Sequence, residues 1–305
     1  MKPIKVGLVS LGCSKNLVDS ERMLFKLRAA GYQLVTEPGE AEVAIVNTCG
    51  FIQSAKEEAI DTILELAALK RDGTLQKIIL TGCLTERYRQ EAADLFEEVD
   101  AVIGIGDNKD IVEILNRVLG NERVVQFAPK QDVELSGERI ISTLPFFAYL
   151  KVAEGCNNRC SYCAIPDIRG PYRSEPMEDI LKEAKYNDDQ GVLRYSIVTS
   201  GKRLTDEEVD QVCESIRKIK EETNIEVCFS FGLLKEEQLR KVREAGATRA
   251  HCNLETSRRF FPEICTTHTY DQKIETLKAA VAAGLSICSG GIMGLGETLE
   301  DRVDM

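Results

Sequence analysis

Three cysteines within one short stretch, Cys156, Cys160 and Cys163, are the residues of this 305-residue chain best suited to chemistry. They stand in Gly155-Cys156-Asn157-Asn158-Arg159-Cys160-Ser161-Tyr162-Cys163, directly after an apolar run of strand length. A CxxxCxxC spacing lets one loop wrap three thiolates around one centre, and thiolates are the soft ligands that iron-sulfur clusters take. Three thiolates on a four-iron cluster leave one iron open to an outside ligand. A structural zinc site asks for a fourth Cys or His at short spacing, and none follows Cys163 before Cys213.

Three further cysteines precede this loop: Cys13 in LGCSKN, Cys49 in NTCG and Cys83 in TGCL. Each comes zero to three residues after an expected parallel strand. That places all three along the carboxyl edge of one sheet, where α/β folds bind ligands, so separate loops can converge on a second cluster. Buried cysteines that pack as small hydrophobes sit in apolar stripes, whereas these stand beside Gly or Asn in strand-to-helix turns. Eleven cysteines in all is an odd number, which cannot pair fully within one chain and fits metal ligation in a reducing compartment better than disulfides.

The elements that must hold these loops alternate between strand-length apolar runs and helical periodicity, the pattern of parallel sheets covered by helices. Strands are expected at 5–10, 43–47, 77–81 and 101–105, with helices at 15–30, 53–70, from about 86, and at 109–119. Residues 120–142 are polar and weakly patterned. The expected organisation is therefore an α/β domain over 1–125, a linker at 126–143 and a second α/β domain over 144–305. In the second domain, strands are expected at 146–152, 194–199, 226–230, 250–254 and 285–289, and a helix at 205–222 carries Val209, Val212, Ile216 and Ile219 on one face. Five βα steps are legible, against eight in a complete (β/α)₈ barrel.

On these motifs the first part of the chain resembles the radical S-adenosylmethionine (SAM) methylthiotransferases of the RimO class, which modify an aspartate of the twelfth protein of the small ribosomal subunit. The matching stretches are LVSLGCSKNLVDSE (8–21), VNTCGF (46–51), TGCLTERY (81–88) and FAYLKVAEGCNNRCSYCAIPDIRGPYRS (147–174). The resemblance covers residues 1–185. It implies a Rossmann-like N-terminal domain followed by a partial radical SAM barrel. Cys156, Cys160 and Cys163 would hold a 4Fe-4S cluster whose open iron chelates SAM, and Cys13, Cys49 and Cys83 a second iron-sulfur cluster that delivers sulfur. Tyr162 falls where the superfamily packs an aromatic near the adenine, and simple core filling is its other reading.

From about residue 191 the chain is instead similar to biotin synthase, in RYSIVTSGKR (194–203), VCFSFG (227–232), HCNLETS (251–257), FFPEICTTHTY (260–270) and CSGGIMGLGET (288–298). That resemblance implies SAM contacts from Asn253 and Glu255, the latter replacing a more familiar Asp, and an adenine site at Gly290, Ile292, Gly294 and Glu297. Cys228 and Cys288 match ligands of a sulfur-donating cluster, but Ser196 stands where a third ligand belongs. Cys252 and Cys265 offer a different four-cysteine set with Cys228 and Cys288. Cys213 shares an apolar helix face and is expected in the core. His251 is a candidate neighbour of SAM or cluster, and His268 a solvated or hydrogen-bonded side chain.

Lysine and arginine number 39 against 50 acidic residues, a net charge of −11, which disfavours broad nucleic-acid binding. No run of 18 apolar residues spans a membrane and no secretory signal is evident, so a cytoplasmic location is expected. Three functions are weighed. The leading one is a methylthiotransferase acting on a ribosomal protein; the others are biotin-synthase-like sulfur insertion into dethiobiotin, and an inactive, truncated iron-sulfur SAM-binding protein. The enzymatic readings imply an electron donor such as flavodoxin or ferredoxin.

Overall fold

The computed structural model describes residues 3–144, 147–158, 163–199 and 201–305; Cys160 and Tyr162 lie outside the described residues. The chain divides into two compact units, residues 1–142 with 167–170, and residues 143–166 with 171–305.

The first unit runs β1 (Lys5–Ser10), α1 (Ser14–Ala29), β2 (Gln33–Val35), β3 (Val43–Thr48), α2 (Gln53–Arg71), β4 (Lys77–Gly82), α3 (Cys83–Tyr88), α4 (Gln90–Leu95), β5 (Ala101–Ile103), α5 (Ile111–Leu119) and β6 (Val124–Gln126). Its six strands form one parallel sheet in the order β2-β1-β3-β4-β5-β6. Alternate residues of the central strands serve opposite faces. Ala44, Val46, Ile78 and Leu80 pack with Ile63, Leu66 and Ala67 of α2, whereas Val43, Ile45 and Ile79 pack with Met23 and Leu27 of α1 and Ile114 and Leu115 of α5. Both faces being covered, β3 reads as an unbroken buried run, VAIVNT.

The second unit contains β7 (Ala153–Glu154), α6 (Ile165–Arg169), whose last residues count with the first unit, β8 (Arg173–Ser174), α7 (Met177–Asp189), β9 (Arg194–Val198), α8 (Asp206–Glu222), β10 (Glu226–Ser230), α9 (Glu236–Glu244), β11 (Ala247–His251), α10 (Phe261–Ile264), α11 (Tyr270–Ala282), β12 (Ser286–Cys288) and α12 (Leu299–Asp304). Strands β12-β11-β10-β9 make a four-stranded parallel sheet, extended beyond β9 by parallel bridges from Phe147 to Arg194 and from Leu150 to Ile197. Tyr195, Ile197, Val227 and Phe229 are buried, and the Tyr195 hydroxyl donates toward the Glu183 and Ala184 carbonyls of α7 at 3.3 Å each. The alternating residues Ser196, Cys228 and Ser230 are only partly covered and belong to the opposite face. A capping box starts α8: Thr205 accepts from the Glu208 amide at 3.2 Å while Glu208 accepts from the Thr205 amide at 2.7 Å.

Four expectations shift. Strands β2 and β6 were not foreseen; each is a three-residue edge strand, too short to show a periodicity. The strand expected at 146–152 shows only the two bridges among its described residues. Strand β11 begins at Ala247, not 250; its partly covered residues Thr248 and Arg249 are polar and break the apolar run that marks a strand. Most of the stretch expected as a linker is fastened to the first unit. The fully buried Glu21 carboxylate pairs with Arg139 at 2.7 Å and accepts from the Ser142 amide and hydroxyl at 2.7 and 2.8 Å, and Arg22 donates to the Glu134 carbonyl at 2.9 Å. A segment held by polar groups leaves no apolar pattern to read. No helix among the described residues is long and apolar enough to cross a membrane.

Candidate functional site

In the first unit the three expected cysteines come to one edge of the sheet. Cys13 is the exposed N-cap residue of α1, Cys49 follows β3, and Cys83 opens α3 directly after β4. The helix expected near residue 86 therefore starts at the cysteine itself. Each cysteine has a glycine beside it, and these glycines let the turns interlock. A Cβ on Gly12 would lie 2.8 Å from Cys49 Cβ, and one on Gly50 would lie 2.8 Å from the Leu84 amide nitrogen. One on Gly82, whose φ is +105°, would overlap the Thr48 backbone. Every turn is thus packed against the next, and only glycine permits the approach.

A polar frame holds the edge. Asn16 donates to the Leu11 and Thr48 carbonyls at 2.9 Å each, and Asn47 donates to the Asn16 carbonyl at 2.8 Å. Cys83 Sγ donates to Asn16 Oδ1 at 3.4 Å. Arg169, 1% exposed, donates to Asp19 Oδ2 at 2.6 Å, Asn16 Oδ1 at 2.5 Å and Cys83 Sγ at 3.6 Å. Burial pushes the Cys83 thiol up to about 11; Arg169 opposes this, and the neighbouring sulfurs of Cys13 and Cys49 add to it. Among the described residues no three His, Cys, Asp or Glu side chains close on a single ion. A polynuclear cluster, in which different irons take different thiolates, is the group this donor set suits. Asn16, Asp19 and Arg169 were not foreseen as site residues, because a single polar residue in a motif carries no periodic signal.

In the second unit Cys156 and Cys163, both half-buried, flank the undescribed Cys160. The loop is anchored before Cys156 by Glu154, buried and paired with Lys151 at 3.0 Å, whose other oxygen accepts from the Gly155 amide at 3.0 Å. After it, the Asn158 amide donates to Cys156 Sγ at 3.4 Å and Asn157 Oδ1 accepts from the Tyr172 amide at 3.1 Å. These two contacts tie the Cys156 side chain and the residue after it to their surroundings.

The partly covered face of the sheet lines a cavity of about 420 Å³, bordered by Asn158, Ser196, His251, Asn253, Glu255 and Lys273 among others. The expected nucleotide residues are partly united here. Glu255 adopts φ +71°, a conformation rare outside glycine, and its loop pairs with the next: Leu254 N–H donates to Gly290 O at 2.9 Å and Ile292 N–H to Glu255 O at 2.7 Å. Asn253, Glu255, Gly290 and Ile292 thus share one double loop. Lys273 of α11 was not foreseen; it donates to the Asn253 carbonyl at 2.6 Å and meets Glu255 at 3.4 Å, the signal being only an i+3 position on a helix. Glu297 has a different task. Its carboxylate accepts from the Gly294 and Leu295 amides at 2.7 Å each and from Arg302 at 2.8 Å, the Gly294 contact first among those that hold it down to about 2. It closes the turn that contains Gly294.

The remaining cysteines are spread out. Cys228 lies opposite Ser196 on β9, and its Sγ donates to the Tyr195 carbonyl at 3.0 Å. Cys288 on β12 lies opposite His251 on β11. By strand spacing and register, Cys228 and Cys288 stand on one face with Cα atoms about 12 Å apart. Cys252 is buried one position past His251, and its amide donates to the Cys288 carbonyl at 3.0 Å. Cys265 is engaged by Thr267 at 3.5 Å and His268 at 3.4 Å, and Cys213 is buried on α8 as expected. His268 is half-buried, bonded to Thr267 at 2.9 Å, and pushed down to about 4 by burial and by Lys273 and Lys202.

The family model for the radical SAM superfamily matches residues 150–305, and that described as uncharacterized protein family UPF0004 matches residues 5–104. The chain is 42% identical over 224 residues to the ribosomal protein uS12 methylthiotransferase RimO of Lachnoclostridium phytofermentans, covering 69% of this chain and 50% of that protein. It is 48% identical over 196 residues to the RimO of Pelotomaculum thermopropionicum, covering 64% and 44%. The chain therefore spans about half the length of the curated relatives it matches. Two solved structures share its fold at low identity. They are the radical SAM methyltransferase TsrM of Kitasatospora setae (TM-score 0.67, 14% identity, 99% of this chain and 69% of that one) and the cobalamin-dependent enzyme OxsB (0.63, 15%, 99% and 51%).

Proposed function

Because this chain belongs to the radical SAM superfamily, we propose that it acts as a cytoplasmic methylthiotransferase that places sulfur on an unactivated carbon, with an aspartate of a small-subunit ribosomal protein as its substrate. The observation that carries this reading is the interlocking of the Cys13, Cys49 and Cys83 turns at one sheet edge, which a simple SAM-cleaving enzyme does not need. The relatives named for this activity support the substrate class.

In this reading Cys156, Cys160 and Cys163 hold a 4Fe-4S cluster and the N-terminal trio holds the auxiliary one. Bound there, the two groups supply the electron that splits SAM and the sulfur that is transferred, with flavodoxin or ferredoxin as the electron source. The chain's own residues bind and orient. Glu154 and Asn157 anchor the chain on either side of Cys156, which holds that part of the loop in place for a cluster. Asn253 and Glu255 offer polar groups to the ribose and amino-acid parts of SAM, and the cation of Lys273, 7% exposed, is held at the Asn253 carbonyl within reach of a carboxylate. The Gly290–Ile292 backbone, locked to Glu255, offers a flat edge for adenine. Biotin-synthase-like chemistry receives less support, because Ser196 faces Cys228 where a third thiol belongs.

The test is anaerobic reconstitution with iron and sulfide counting. Cys13→Ala/Cys49→Ala is expected to lose one cluster's worth of iron while still yielding 5′-deoxyadenosine from SAM, and Cys228→Ala/Cys288→Ala to lose none. The parent is expected to methylthiolate a peptide carrying the substrate aspartate, read by mass spectrometry. Iron loss confined to Cys228→Ala/Cys288→Ala overturns the proposal in favour of sulfur insertion from the barrel, and a parent that makes no 5′-deoxyadenosine leaves only a binding protein.

A further inference from the structure

The structure holds the guanidinium of Arg169 by a hydrogen bond against a sulfur of the N-terminal trio. Its place is built with care. Arg169 is 1% exposed, and its Nη1 is tied to Asp19, itself nearly buried, at 2.6 Å. Its Nη2 is shared between Asn16 Oδ1 at 2.5 Å and Cys83 Sγ at 3.6 Å. Asn16 cannot swing away, because its amide nitrogen is committed to the Leu11 and Thr48 carbonyls on two different turns. A buried charge held this firmly is costly unless every partner is in place.

In the free thiol state Cys83 Sγ–H donates to Asn16 Oδ1. When Cys83 gives up its proton to become a ligand, that donor disappears, and a thiolate would face an amide oxygen with only lone pairs between them. Arg169 Nη2 reaches both acceptors. It is the donor that keeps Asn16 and the ligated sulfur compatible, and a charge-assisted N–H···S contact draws electron density from the sulfur. A cation and donor beside a cluster sulfur favour the reduced state, so they raise its potential.

We propose that Arg169 is a positioning residue of the auxiliary site, which holds the Cys83 thiolate through an N–H···S hydrogen bond and sets the reduction potential of the cluster bound there. This rests on the assignment of Cys13, Cys49 and Cys83 as that cluster's ligands. Asp19 and Asn16 act through Arg169: the first anchors its far nitrogen and the second fixes its near one.

The experiment uses the 305-residue chain carrying Cys156→Ala/Cys160→Ala/Cys163→Ala, so that only the auxiliary cluster is observed, reconstituted anaerobically and followed by iron counting and an EPR-monitored redox titration. Adding Arg169→Met is expected to shift the midpoint to lower potential and to change the g-values of the reduced cluster. Arg169→Lys, which restores the cation without the planar fork, is expected to recover part of the shift. Iron loss from Arg169→Met that Arg169→Lys rescues supports the same role. If Arg169→Met holds its full iron with an unchanged midpoint and spectrum, the proposal is overturned while the ligand assignment stands. If the parent in this background binds no iron, or binds it equally after Cys13→Ala/Cys49→Ala, the ligand assignment itself has failed. Should both Arg169 variants fail to fold, pulsed EPR on the parent grown with ¹⁵N-guanidino arginine decides: a ¹⁵N hyperfine coupling to the reduced cluster supports the contact, and its absence overturns it.

Discussion

Gly82→Ala is the most discriminating single substitution that the cysteine edge permits. Gly82 ends β4 at φ +105° and ψ −162°, a region that only glycine enters without strain, and a side chain there costs about 1–3 kcal/mol in backbone energy alone. The new Cβ would also sit 2.5 Å from both Asn47 Oδ1 and the Thr48 nitrogen and overlap the Thr48 carbonyl. Those atoms belong to the fully buried partner strand, with Thr48 in register against Gly82, so relief requires the sheet to move. Overpacking of this kind adds roughly 1–3 kcal/mol, which brings the total to about 2–6 kcal/mol. Gly31→Ala is the control. Gly31 also has positive φ, +90°, but nothing lies within 4 Å of its Cβ position, so only the conformational cost of about 1–2 kcal/mol remains. Native-state hydrogen exchange of the β3 and β4 amides in the metal-free chain measures both. Gly82→Ala is expected to raise the opening equilibrium by a further factor of roughly 5 to 150 over Gly31→Ala, since the overpacking adds about 1–3 kcal/mol and about 1.4 kcal/mol is tenfold, and to lower iron uptake at the N-terminal trio without affecting the barrel site. Equal exchange in the two variants would refute the argument that the cysteine turns interlock through their glycines.

Two further perturbations test other parts of the fold. Glu21→Gln leaves Arg139, 2% exposed, without its carboxylate, and the first unit is expected to lose about 3–5 kcal/mol, with residues 134–142 becoming open to protease; a loss below about 1 kcal/mol in urea unfolding would contradict the clamp. Lowering pH is expected to open the turn that contains Gly294. Glu297, with an ordinary value of 4.5, is held to about 2, and Asp301 is also lowered, chiefly by Arg259 and Ser257, so their contribution is present above the ordinary carboxylate range and is lost as pH falls from about 4.5 toward 2. Protection factors of the Gly294 and Leu295 amides should drop across that window in the parent, and Glu297→Gln should already be unprotected at pH 6.

The alternation of strand and helix and the places of the N-terminal cysteine turns were legible from the order of residues, because each depends on local spacing: a period of two or 3.6, or a cysteine just past a strand. β1 and β10 fell on their expected residues, and the helix over 206–222 within one residue of its start, since their apolar patterns are long and clean. What tertiary structure decided is what depends on meeting across distance. Arg169 reaches Asp19, Asn16 and Cys83 from far along the chain, Lys273 closes on Asn253 and Glu255, and Glu21 collects Arg139 and Ser142 from a stretch that looked like free linker. Each is a lone polar residue whose position follows no repeat. Its role exists only once packing has removed water and left it particular partners to bond, and no count along the chain carries that information.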